Sequence, residues 1–204
     1  MNQIEALRRL QSLGTPVIET RDVSALLSVT SANANMILRR LADQGQLIHL
    51  SRGRWLTAPG ISRFALPELI SAPYPAYVSM QSALFHHGLI EQIPAVIYAV
   101  TLGRPRRTTT PLGVISFHRL PAELFTGFDV NDDGAKIASP EKALFDVIYL
   151  GPARSRLFAR LPELEVPGDF RWSRLREYSK QVKSPARRKF IERRTEEIHR
   201  ASKR

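Results

Sequence analysis

Cysteine is absent from the 204 residues of this chain. A disulfide framework and a zinc site built on thiolates are therefore both excluded. Acidic residues are also few, because 19 of them face 30 lysines and arginines, which gives a formal charge of +11. Such an excess favours an anionic partner, of which nucleic acid is the commonest, although the charge alone does not separate DNA from RNA.

Two further absences concern membranes and catalysis. No apolar run approaches the ~20 residues that a membrane-spanning helix needs, and residues 1–13 form a charged, amphipathic stretch rather than a secretory signal. We therefore expect a cytoplasmic protein with no membrane partner. The sequence contains no phosphate-binding loop, glycine-rich dinucleotide motif or nucleophile elbow, so we expect no enzyme activity, no cofactor and no metal site.

One segment near the N-terminus has the pattern of a helix-turn-helix followed by a small hairpin. Its first helix is predicted over residues 21–27 with Thr20 as its cap, and its second over residues 31–44. A turn at residues 51–54 then separates two short strands. With another amphipathic helix ahead of it over residues 3–13, this order of elements predicts a winged helix-turn-helix.

The second predicted helix of this motif has one apolar and one polar side. Ala34, Leu38 and Leu41 recur at helical spacing and predict the buried side, which leaves Asn35 and Arg39 on the opposite side. Asparagine can form two hydrogen bonds with adenine, and arginine can form two with guanine. This side therefore has the donors and acceptors to read a DNA major groove.

Phosphate contacts are predicted on both sides of this polar surface. Ser31 lies at the helix start, where a hydroxyl and free backbone N–H groups suit a phosphate. Arg52 and Arg54 lie at the predicted hairpin tip, where they can enter a minor groove or bind the backbone. A helix-turn-helix that only packs against protein is the alternative for this segment. The predicted DNA contacts are Ser31, Asn33, Asn35, Arg39, Arg40, Arg52 and Arg54.

The predicted fold class is α+β, with the winged domain over residues 1–58 and a mixed α/β domain over residues 61–204. Residues 64–75 are predicted as a linker with one short turn of helix. A basic helical tail begins at about residue 172, and it is either a solvated surface or a contact for nucleic acid or an acidic partner. The other helices of this domain are predicted over residues 79–87, 141–149 and 157–161, and Ser139-Pro140 is the predicted cap and start of the second of them.

Two strands of the second domain, over residues 97–103 and 114–120, are predicted to pair as a long hairpin. The tip of this hairpin is basic. It is either a solvated loop or a second nucleic-acid contact, and its arginines are Arg104, Arg106 and Arg107.

One cluster in the second domain allows a metal-nuclease hypothesis. Asp129, Asp132 and Asp133 precede Lys136 on a predicted strand, and carboxylates in that order can hold Mg²⁺. The same residues are ordinary hairpin-turn chemistry, because Asp and Gly favour the backbone angles of a turn. We therefore rank the nuclease below a binding function.

Three short motifs carry a resemblance to a known family. They are Gly53-Arg54-Trp55 in the predicted wing, SMQSALFHHGL over Ser79–Leu89, and SPEKALFD over Ser139–Asp146. In this order they resemble the AbiEi family, the antitoxins of AbiE-type toxin–antitoxin systems, which also act as transcriptional regulators. The resemblance spans about residues 3–160.

The resemblance implies two activities. The winged helix would bind repeats in the promoter of its own operon and repress it, through the DNA contacts named above. The C-terminal domain would neutralise a nucleotidyltransferase-like toxin encoded next door, with or without a stable complex. The Ser139–Asp146 run is expected to be a capped helix packed on the sheet rather than an active centre. A transcriptional regulator without an antitoxin role is the alternative.

Overall fold

The computed structural model describes residues 3–57, 60–152 and 163–203. Within these ranges the chain is a mixed α+β protein with eight α-helices and two β-sheets, which confirms the predicted α+β class. The helix predicted over residues 157–161 lies outside the described residues. Among the helices that are described, none is long and apolar enough to cross a membrane.

The chain divides into two compact units. The N-terminal unit comprises Met1–Arg63 and Thr108–Val114, and the C-terminal unit comprises Phe64–Arg107 and Ile115–Arg204. Each unit contains its own buried apolar residues. Each can therefore be understood from its own packing.

The N-terminal unit contains three helices and a three-stranded sheet in which the last strand is central. β3 pairs antiparallel with both other strands, giving the order β1-β3-β2. The elements are α1 (Gln3–Gln11), β1 (Val17–Glu19), α2 (Thr20–Leu26), α3 (Ser31–Asp43), β2 (Ile48–Ser51) and β3 (Arg54–Leu56).

The core of this unit follows from the periodicity of α3. Ala34, Leu38 and Leu41 are buried on one side of the helix, as predicted, and they belong to one apolar cluster with Val23 of α2 and Trp55 of β3. Because this side is apolar and the opposite side is polar, packing fixes which face of α3 remains in solvent.

The prediction that Thr20 caps α2 is wrong. The N-cap is Glu19, which makes no side-chain cap hydrogen bond, and Thr20 is the first residue of the helix. The Thr20 hydroxyl is instead bonded within the unit, where it accepts a hydrogen bond from Trp55 Nε1 at 3.1 Å. The hydroxyl is therefore the acceptor for a side chain 35 residues away in the sequence, and it does not cap the helix.

The remaining elements include a six-stranded sheet of order β6-β7-β5-β4-β9-β8. The elements are α4 (Leu66–Ser71), β4 (Ala76–Val78), α5 (Met80–His86), β5 (Ile97–Thr101), β6 (Arg106–Thr110), β7 (Gly113–Arg119), β8 (Phe128–Val130), β9 (Lys136–Ala138), α6 (Pro140–Leu150), α7 (Trp172–Lys180) and α8 (Pro185–Ala201).

Two predictions for this region are wrong. β5 and β7 do not form a hairpin, because they pair in parallel and β6 forms the outer strand on the far side of β7. The polar run Arg106–Thr110 contains three threonines, which are β-branched and favour a strand. Residues 64–75 contain the predicted short turn of helix as α4, but they are not a linker, since α4 buries Leu66 and Ile70.

Helix α6 begins where the sequence predicts. It also contains a buried ion pair, which the sequence analysis does not predict. Ser139 caps the helix by accepting a hydrogen bond from Lys142 N, and Pro140 occupies the first turn. Further along, Lys142 and Asp146 are both 0% exposed, and Lys142 Nζ donates to Asp146 Oδ1. A Lys and an Asp four residues apart lie on the same face of a helix.

The second oxygen of Asp146 is also satisfied within the unit. Asp146 Oδ2 accepts hydrogen bonds from Ser79 Oγ at 2.7 Å and from Tyr77 Oη at 3.0 Å. Burial, followed by the charge of Asp146, raises the pKa of Tyr77, so that its hydroxyl stays protonated and can donate. Lys142 Nζ also lies 4.9 Å from the Phe145 ring centroid. The buried carboxylate of Asp146 is therefore stabilised by three donors, and the buried ammonium of Lys142 by the carboxylate and an aromatic ring.

We expect Lys142→Met to lower the free energy of unfolding of the C-terminal unit by about 3–5 kcal/mol, because it leaves a buried carboxylate without its cation. Adding Asp146→Leu should restore part of the loss, since no unpaired charge then remains. Urea unfolding followed by circular dichroism measures both values.

The matched control is Lys183→Met, which removes an exposed ammonium paired with Glu123 and should change stability little. If Lys142→Met and Lys183→Met were equally mild, the buried pair would have no structural importance.

A pH-dependent stability is expected from His118 on β7. Burial lowers the pKa of His118 to about 4, whereas an unfolded histidine titrates near ~6.5. The unfolded chain therefore binds the proton more readily, and stability falls as the pH drops from about 6.5 to 4. Between pH 7 and pH 4 the wild type should lose about 2 kcal/mol more than His118→Gln, after allowance for partial exposure. Equal losses in urea titrations would show that His118 does not contribute.

Candidate nucleic-acid interface

A concave groove of about 820 Å³ lies between α3 and the turn of the β2–β3 hairpin. Four of the seven predicted DNA contacts line it, which are Ser31, Asn35, Arg39 and Arg52. Residues that are distant in sequence are thus brought to one surface of the N-terminal unit. Seven further residues line it that the sequence does not assign to a site, and these are Thr20, Arg21, Ala42, Asp43, His49, Gly53 and Trp55.

The N-terminal end of α3 is open to solvent at this groove. Thr30 is the N-cap and accepts a hydrogen bond from Asn33 N at 3.3 Å, so that Thr30 rather than Ser31 provides the cap. Ser31 is exposed at the first helical position, and the first turn of the helix contains no acidic residue. The free N–H groups and the exposed hydroxyl can therefore approach an anion.

Three arginines and one carboxylate, Asp43, line the groove, and only Arg21 among these arginines has an acidic partner within the described residues, Glu19 at 2.8 Å. Arg39 on α3 and Arg52 in the hairpin turn are both exposed, and neither forms an ion pair with any residue that the structure describes. Their guanidinium groups carry five N–H donors each and suit phosphate oxygens or a guanine edge.

The other predicted arginines are placed differently. Arg54 begins β3 rather than lying at the hairpin tip, and its Nη2 is 3.4 Å from Glu19 Oε1. Arg40 lies outside the groove lining, with Nη2 3.7 Å from the Sδ of Met36. Asn33 is exposed on the first turn of α3 but does not line the groove either.

A chain of hydrogen bonds connects the base of the groove to Asn35. Trp55 Nε1 donates to Thr20 Oγ1 at 3.1 Å, and Thr20 Oγ1 lies 3.2 Å from Asn35 Oδ1 and 3.5 Å from the carbonyl oxygen of Gly53. The Trp55 ring also contacts the ring of His49, with 4.5 Å between the centroids. The side chain of Asn35 is therefore supported from below by buried groups.

The predicted second set of nucleic-acid contacts is not gathered at a hairpin tip. Arg106 lies in β6, where its Nη2 donates to the carbonyl oxygen of Ile70 at 3.0 Å and its guanidinium lies 4.5 Å from the Phe117 ring centroid. Arg104 and Arg107 are exposed on either side of it. The turn of the β6–β7 hairpin is formed by residues 111–112 instead.

The cluster behind the nuclease hypothesis folds as a hairpin turn. Asn131 Oδ1 accepts a hydrogen bond from Ala135 N at 2.8 Å, and Lys136 Nζ forms an ion pair with Glu68 at 2.5 Å. Among the described residues there is no group of three or more His, Asp or Glu side chains that could hold a metal ion.

The C-terminal unit has a separate cleft of about 560 Å³ that the sequence did not predict. Glu141 lines it, is only 4% exposed, and accepts a hydrogen bond from the backbone N–H of Arg171 at 3.2 Å. Burial alone would raise the pKa of Glu141, but backbone N–H groups, including that of Arg171, hold it below its usual value. The carboxylate is therefore ionised; its Oε1 is bonded to Arg171, whereas its Oε2 is buried and has no hydrogen-bond partner among the described residues.

The chain matches no protein-family model and no curated protein. The resemblance to AbiEi antitoxins therefore stays a prediction that depends on the short motifs alone. Two of these motifs meet in the folded chain, because Ser79 begins one and Asp146 ends the other, and their side chains are hydrogen-bonded at 2.7 Å. These two motifs thus share one buried structural contact.

Proposed function

We propose that the protein binds double-stranded DNA through a winged helix-turn-helix formed by the N-terminal unit. In this proposal α2 and α3 are the helix-turn-helix, α3 enters the major groove, and the β2–β3 hairpin is the wing. The observation that supports it best is the groove that brings Asn35 and Arg39 of α3 together with Arg52 of the hairpin turn.

The groove residues have different roles under this proposal. Arg39 and Asn35 face base edges, because they lie on the exposed side of α3. Arg52 and the start of α3 at Ser31 bind phosphates and fix the position of the protein on the duplex. The protein needs no catalytic activity, cofactor or metal ion for this function. Its place of action would be the cytoplasm, at repeats in its own promoter.

The antitoxin role belongs to the same proposal and is supported by the motif resemblance. Both C-terminal motifs form helices, α5 and α6, that are joined by the Ser79–Asp146 hydrogen bond. The partner would be a nucleotidyltransferase-like toxin, neutralised with or without a stable complex. The rival functions are a transcriptional regulator without an antitoxin role and, less favoured, a metal-dependent nuclease.

A gel shift on the upstream region of the protein's own gene tests DNA binding. We expect a shift that resists random competitor DNA and weakens with salt, because each phosphate contact releases counterions. Arg39→Ala should weaken specific binding by ~1–3 kcal/mol and affect random duplex less, since a base contact is lost. Arg52→Ala should weaken binding to both duplexes equally.

The matched control for these variants is Arg9→Ala on α1, where the guanidinium pairs with Glu5 at 2.8 Å and does not line the groove. This variant should bind like the wild type. If all three variants behaved alike, the groove would not be the binding surface. Cleavage of the duplex that stops with EDTA would favour the nuclease instead.

Co-expression with a neighbouring nucleotidyltransferase-like gene tests the antitoxin role. With both genes on independent inducible promoters, we expect this chain to restore growth. Because the proposal assigns the antitoxin role to the C-terminal unit, Arg39→Ala with Arg52→Ala should restore growth equally well. Failure of the wild type to restore growth, alongside specific DNA binding, would favour a regulator without an antitoxin role.

A further inference from the structure

We infer that Thr20 is a positioning residue for base readout, and that it orients Asn35 so that α3 prefers adenine at one position of its site. The inference rests on the DNA binding proposed above and adds to it the base that is selected and the residue that sets the selection. Thr20 itself lines the groove and is buried, with 8% of its surface exposed.

The direction of the hydrogen bonds follows from Trp55. The indole N–H can only donate, Trp55 is 3% exposed, and the acceptor of its N–H is Thr20 Oγ1 at 3.1 Å. A buried donor must keep such a partner, because leaving it unpaired is costly. The Thr20 oxygen is thus an acceptor toward Trp55, and its own proton points elsewhere.

The Thr20 proton has two acceptors within reach. Asn35 Oδ1 is at 3.2 Å and the Gly53 carbonyl oxygen is at 3.5 Å; both distances are longer than is usual for an O–H donor, and that to Asn35 is the shorter. Asn35 is therefore the better acceptor. Since only the oxygen of an amide can accept, this bond also fixes which end of the Asn35 amide faces Thr20.

The orientation of Asn35 decides which base it matches. Its oxygen keeps a second lone pair, and neither N–H group of Nδ2 is bonded to a residue that the structure describes, so the exposed amide offers an acceptor beside a donor. Adenine offers the complementary pair in the major groove, a donor at N6 and an acceptor at N7. Guanine offers two acceptors, and its O6 would face the Asn35 oxygen. Adenine is therefore favoured.

The side chain that follows Asn35 on α3 also suits an A·T base pair. Met36 is 46% exposed on the same solvent-facing side of the helix, although it is apolar. The methyl group of thymine is the apolar feature of the major groove, and apolar side chains contact it there. A thymine paired with, or next to, the selected adenine would cover Met36.

Selection from a random duplex library tests the inference with the full-length protein. Wild type and Thr20→Ser, which keeps the hydroxyl, should both enrich adenine over guanine at one position by about ten-fold or more. Thr20→Val, of the same shape without the hydroxyl, should reduce this preference to about three-fold or less. Binding of all three to random duplex should stay within about two-fold, because phosphate contacts are unchanged.

Two further variants separate positioning from a merely structural role. Thr20→Val together with Trp55→Phe removes both the buried donor and its acceptor, so this protein should stay folded yet show the same loss of adenine preference. Asn35→Asp keeps the oxygen that faces Thr20 but loses the donors, and the preference should change from adenine to cytosine, whose N4 donates.

Chemical modification of the selected base gives an independent readout. Replacing the adenine by 7-deazaadenine should weaken wild-type binding about ten-fold and leave Asn35→Ala unaffected, because only N7 is removed. An adenine preference that persists in both Thr20→Val proteins, or a different preferred base in the wild type, would overturn the inference while DNA binding stands. No sequence preference in the wild type would instead overturn the proposed function.

Discussion

Both units of this protein depend on one constraint, that a buried donor or charge must have a partner inside the protein. The strongest case is the pair of Lys142 and Asp146, from which solvent is fully excluded. Asp146 also accepts from Ser79 and Tyr77, which belong to other elements of the fold. The pair thus fixes α6 against β4 and the residue before α5. Because one carboxylate needs three donors, the positions of three segments are determined together.

The same constraint acts on neutral groups in the N-terminal unit, where its consequence reaches the surface. Trp55 is a core residue, yet its indole N–H needs an acceptor, and Thr20 of α2 provides it. The hydroxyl of Thr20 in turn contacts Asn35 of α3. Packing and polarity are therefore linked from β3 through α2 to the exposed side of α3. Under the proposed function, the need of the buried Trp55 N–H for an acceptor thus determines how the Asn35 amide is presented to a base.

The sequence predicts those features that depend on neighbours within a few residues. The buried stripe of α3 and the Ser139 cap of α6 are both set by local spacing, and both are confirmed. Pairing across long separations is not set by local spacing, and so the sequence does not predict that β5 pairs in parallel with β7. For the candidate site, the sequence predicts the polar side of α3. It does not predict the role of Thr20, because that role depends on Trp55, 35 residues away in the sequence.

The distribution of charge shows why a net value of +11 says little about the site. Thirteen of the 30 lysines and arginines lie at or after residue 171, but several have partners within the protein. Arg176 pairs with Glu196, Arg194 pairs with Glu197, and Arg187 donates to the carbonyl oxygen of Tyr149. Residues 1–57 contain only seven arginines and no lysine. If α3 reads DNA, its selectivity must therefore come from a few oriented groups, because total charge attracts every duplex equally.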